Sequence, residues 1–140
     1  MKESPIFTRT YDLLRWLIPL TIKFPRTQRF VLATRLQETV LRFQEHLIEA
    51  GRSPEPAPIL AQADTDLAKL RLYMRLCRDL ELIKFGQYEH GQRMVNEIGR
   101  LMGGWRKKVD TSHTGQTAAL TALPWWGRAE ARRLLEQQQA

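Results

Sequence analysis

Residues 58–83 read PILAQADTDLAKLRLYMRLCRDLELI, and this stretch decides the fold. Leu60, Ala63, Leu67, Leu70, Met74 and Cys77 recur at intervals of three and four, the repeat that places side chains on one face of an α-helix. Leu72, Leu76, Leu80 and Ile83 fall beside that stripe and are expected to widen it. No period-two alternation competes, so the pattern excludes a strand. Arg71, Arg75 and Arg78 sit between the apolar positions at i, i+4 and i+7, which puts three cations on one helical face.

Working outward toward the N-terminus, Arg52-Ser53-Pro54-Glu55-Pro56-Ala57-Pro58 has proline at alternate positions and predicts a loop between two helices. A second helix is expected over 26–50, with Phe30, Leu32, Ala33, Leu36, Val40, Leu41, Phe43, Leu47 and Ile48 on its broad apolar side and Gly51 as its stop. Ser4-Pro5 suits the start of a first helix, with serine as cap and proline at the first helical position. Pro19 predicts a kink or local break in it, and Pro25 ends it. Tyr11, Leu14 and Ile18 lie on one side of this helix and Leu13, Trp16 and Leu20 on another, so it is apolar nearly all round. Two readings stay open: core packing alone, or core plus a subunit interface.

Toward the C-terminus, Gly86 marks a break. A fourth helix then carries Tyr88, Val95, Ile98, Met102 and Trp105, with Gly103-Gly104 as its expected end. Four helices with short connections predict an all-α, antiparallel up-down-up-down four-helix bundle over residues 1–108. Residues 109–121, rich in Thr, Ser, Gly and Ala, read as a flexible linker, and 128–139 as a short helical tail; 109–140 is thus a C-terminal extension. Trp125 and Trp126 within it are expected to anchor a partner, because an exposed tryptophan pair is costly.

The 140 residues carry a formal net charge of +7, with a pI near 10.1. Arg128, Arg132 and Arg133 in the extension are offset by Asp110, Glu130 and Glu136, so all of the net charge belongs to the bundle. Such a balance points to an acidic partner, nucleic acid first. Arg71, Arg75, Arg78, Arg93 and Arg100 are the main candidates for phosphate contact, with Arg26, Arg29, Arg106 and Lys107 as weaker ones. A solvated basic face is the competing reading of the same pattern.

Catalysis finds no foothold in the sequence. His46, His90 and His113 are far apart, and neither a phosphate-cradling glycine loop nor a nucleophile elbow is present. Asp64/Asp66 and Asp79/Glu81 are two apart and diverge on a helix. The expectation is no enzyme, no metal and no cofactor. The single cysteine, Cys77, allows no internal disulfide and suits a reducing, cytoplasmic setting. The N-terminus lacks a signal-peptide pattern, and 13–20, the most apolar early stretch, is too short to span a bilayer.

Several blocks in order resemble the accessory variability protein (Avd) family of diversity-generating retroelements. They are Pro5-Ile6-Phe7-Thr8-Arg9-Thr10-Tyr11-Asp12, Lys23-Phe24-Pro25-Arg26-Thr27-Gln28-Arg29-Phe30, Leu67-Ala68-Lys69-Leu70-Arg71-Leu72, Gln87-Tyr88-Glu89-His90, and Asn96-Glu97-Ile98-Gly99-Arg100-Leu101-Met102-Gly103-Gly104-Trp105. Together they cover about 4–107. The resemblance implies a four-helix bundle assembled as a barrel-like homopentamer. It implies binding to the element's reverse transcriptase and to RNA or DNA, and a non-catalytic role in mutagenic retrohoming. A related bundle family, encoded in intervening sequences of bacterial large-subunit ribosomal RNA, is the nearest alternative; the Pro25-to-Phe30 and Gly103-Gly104-Trp105 blocks favour the retroelement family. A structural adaptor that binds only protein is the other alternative, and salt-dependent RNA retention separates it from a nucleic-acid binder.

Overall fold

The computed structural model describes residues 4–121 and 132–137, without the side chains of 28–30 and 112–121. The protein is all-helical, with no strand among the described residues. Four long helices build it: α1 (Pro5–Ile22), α2 (Thr34–Arg52), α3 (Pro56–Asp79) and α4 (Phe85–Thr121). A helical turn, Arg26–Gln28, and a π-helical turn, Arg29–Ala33, lead into α2.

The stripe read from 58–83 forms the centre of the core. Leu60, Ala63, Leu67, Leu70, Met74 and Cys77 are all buried on α3. Leu13 and Leu17 of α1, Leu36, Val40, Phe43 and Leu47 of α2, and Val95, Ile98 and Met102 of α4 close around them. Ile83 joins the core, but the expected widening by Leu72, Leu76 and Leu80 does not occur: they stand 59%, 40% and 49% exposed. Their sector of α3 lies outside the arc that α2 and α4 cover, so it remains an apolar ridge on the surface.

Named contacts tie each seam. Thr21 accepts a 2.9 Å hydrogen bond from Gln37 Nε2, joining α1 to α2. His46 Nδ1 and Asp66 Oδ2, 2.6 Å apart, join α2 to α3. Phe7 packs on Trp105 and Trp16 edges onto His90, with ring centroids 6.2 and 5.1 Å apart, along the α1–α4 seam. Trp16 is therefore half-buried inside the molecule, and the outer side of α1 is left to Tyr11 and Ile22.

Helix ends differ from the sequence reading in instructive ways. Pro19 does not break α1; the carbonyl it leaves without a donor belongs to Arg15, and both residues are exposed, so water can serve it. Gly51 does not stop α2, which ends at Arg52 because Pro54 forces Ser53 into an extended conformation. α3 opens at Pro56, two residues before the expected start at Pro58, since the first turn has no use for the N–H groups that Pro56 and Pro58 lack. At the other end α3 stops at Asp79, short of Ile83. Leu82 N–H bonds Cys77 O at 2.9 Å and Glu81 N–H bonds Arg78 O at 3.0 Å, a Schellman stop with Glu81 at φ 59° where glycine is usual. Gln87 then accepts the Lys84 N–H at 2.8 Å and starts α4.

Gly103-Gly104 does not end α4. No described glycine has positive φ, and the helix runs on across Lys108 to Thr121, where a linker was expected. Leu101, Met102, Trp105 and Val109 hold this segment against the core, which offsets the helix penalty of two glycines, about 1 kcal/mol each. Residues 132–137 are helical. Trp125 and Trp126 lie outside the described residues.

Candidate nucleic-acid interface

The candidate cations form two rows along α3 and α4. Arg71 lies half-buried over Gly99 of α4, where an added Cβ would sit 2.8 Å from its Nη2. Arg78 stacks on Tyr88 of α4, its Cζ 4.5 Å from the ring centroid, while its Nε and Nη2 both donate to Asp79 Oδ1. Arg75, between these two, is exposed. This row therefore follows the α3–α4 seam, its two end members held in place by α4.

Arg93, Arg100 and Lys107 form the second row. They are exposed and recur every seven residues on α4, so they share its outer face. The rows are neighbours, since Arg71 covers the residue next to Arg100. No ion pair among the described residues engages Arg75, Arg93, Arg100 or Lys107. Arg106 is partly spent, 3.3 Å from Asp64. Arg26 is exposed and follows α1, so it lies on neither of the helices that carry the rows. The side chain of Arg29 is outside the described residues.

Sequence reasoning missed one element of this face. Phe7, Trp105, Leu101, Arg100, Lys108 and Gly104 line a groove of about 460 Å³ between the start of α1 and α4. The sequence places Trp105 on the apolar side of the fourth helix, but its meeting with Phe7 across the bundle carries no sequence signal.

Other chemistry is sparse. Among the described residues no cluster of three His, Cys, Asp or Glu could hold a metal ion. Burial pushes the Cys77 thiol up to about 11, so it stays protonated near neutrality and is a poor nucleophile. None of the described helices is long and apolar enough to cross a membrane.

These features define a small, basic helical protein with two neighbouring rows of cations on α3 and α4. A model of the bAvd-like family matches residues 6–109, most of the chain, and the protein belongs to that family. The resemblance to the accessory variability proteins is borne out by this match. No match was found among curated proteins.

Proposed function

We propose that the protein is a non-catalytic accessory factor of a diversity-generating retroelement, which binds the element's reverse transcriptase together with RNA or DNA and supports mutagenic retrohoming. The observation that carries this reading is the double row of cations, Arg75, Arg93, Arg100 and Lys107, that make no ion pair among the described residues, in a chain of the bAvd-like family. Residues 1–108 act as an antiparallel up-down-up-down bundle and 109–140 as an extension in which Trp125 and Trp126 dock a partner.

The unit of action is a homopentamer in the cytoplasm. Support for self-association comes from the exposed apolar side chains: the Leu72-Leu76-Leu80 ridge, with Tyr11, Ile22, Leu41 and Ile48 on α1 and α2. A ring would repeat the cation rows, so weak contacts per subunit would add through effective concentration.

Co-expression with the reverse transcriptase of the same element tests the partner assignment. The account expects the two to co-purify at high salt and after nuclease treatment. Release by nuclease would make RNA the only link between them, and absence of any complex would favour a structural adaptor for another protein.

A further inference from the structure

The groove between Phe7 and Trp105 extends the cation face in a way that phosphate contact alone does not require. Both rings are half-buried and tilted 57° to one another, so each offers aromatic surface to the groove. Arg100 and Lys108 stand on its α4 wall, and among the described residues no carboxylate lines it. The α4 row that runs through Arg93, Arg100 and Lys107 thus leads directly to an aromatic floor. At about 460 Å³ the groove falls within the range of small-ligand clefts, roughly 300–1,000 Å³. Gly104 lies on the same wall, and apart from its chain neighbours and its own helix backbone a Cβ there would meet no atom within 4 Å.

We infer that this groove takes an unpaired nucleobase from a single strand. The base stacks on the face of Trp105 and meets Phe7 at an angle, while Arg100 and Lys108 hold the phosphates on either side. Aromatic rings interleaved with cations are how proteins hold single strands without reading sequence, because every base has a stackable face. Duplex DNA cannot use the groove without flipping a base out, so the site favours single-stranded template or product. The inference rests on the nucleic-acid reading above and adds the form of nucleic acid recognised.

The test uses the full chain and two fluorescent oligonucleotides of equal length and phosphate count, one normal and one abasic at every position. The wild-type protein should bind the normal strand at least fivefold more tightly, the low end of what one stacked base contributes. Gly104→Leu puts a branched side chain on the groove wall, at a position where a Cβ meets no residue other than its own helix neighbours. It should abolish this preference while affinity for the abasic strand persists, with helicity checked by circular dichroism. Equal wild-type affinity for both strands overturns the inference and leaves the phosphate-binding rows standing. Retention of the preference by Gly104→Leu also overturns it. Failure to bind either strand at low salt removes the nucleic-acid reading itself, and the groove then belongs to a protein partner.

Discussion

His46 Nδ1 lies 2.6 Å from Asp66 Oδ2 across the α2–α3 seam, and the Asp66 side chain is only 4% exposed. A carboxylate this deep depends on its partner. His46→Ala strands it and should cost about 3 kcal/mol or more in urea unfolding. Replacing both residues with leucine should cost less than either single leucine change, because no lone polar group is left behind. Strictly additive losses would contradict this account of the seam.

Leu70 and Leu72 test the rotation of α3. Leu70 is fully buried and Leu72 is 59% exposed. Leu70→Ala should lose about 2–5 kcal/mol, and Leu72→Ala less than about 0.5 kcal/mol if its ridge is solvated in the isolated chain. Comparable losses at the two positions would mean that the ridge is covered, and sedimentation of the Leu72→Ala protein would show whether a second copy covers it.

The core of α3 was legible because burial on a helix imposes a period that leucine, methionine and cysteine obey. Its outer limit was not: Leu72, Leu76 and Leu80 satisfy the same period one sector away, and only the positions of α2 and α4 decide which sector is covered. Helix ends were read from glycine and proline, and failed where packing outweighed propensity, as at Gly103-Gly104. The α3 stop was missed for the opposite reason, since Glu81 occupies a left-handed position that normally advertises itself with glycine. At the cation face, spacing within a helix placed Arg71, Arg75 and Arg78 together and Arg93 with Arg100 correctly. It could not reveal that Arg106 is drawn to Asp64, or that Phe7 meets Trp105, because both are contacts between helices distant in sequence.

Glu81 should be improvable. A left-handed backbone costs an L-residue about 1 kcal/mol that glycine does not bear. Glu81→Gly is therefore expected to raise unfolding free energy by up to about 1 kcal/mol, read by chemical denaturation. A loss of stability would show that the Glu81 side chain contributes more than its backbone costs.

Cys77 links stability to alkaline pH. Its thiol is pushed by burial from 9.0 to about 11 in the folded protein. As pH rises the unfolded chain ionises first, so stability is unaffected below about 9 and is lost between there and about 11. Two pH units correspond to about 2–3 kcal/mol. The stability advantage of wild type over Cys77→Ala should narrow across that window; a constant difference would contradict the burial of the thiol.

The central claim is that the rows on α3 and α4 grip phosphates, and salt dependence tests it most directly. Single-strand affinity of the wild-type protein should fall steeply and log-linearly with salt, at a slope of about −0.7 per phosphate contact. Arg75, Arg93 and Arg100 are exposed and free of ion pairs among the described residues, so replacing all three with glutamine should leave helicity unchanged. The account predicts that this variant binds more weakly and that its slope is shallower by about two. Unchanged affinity and an unchanged slope would contradict it, and would make the arginines a solvated surface on a protein that binds only protein.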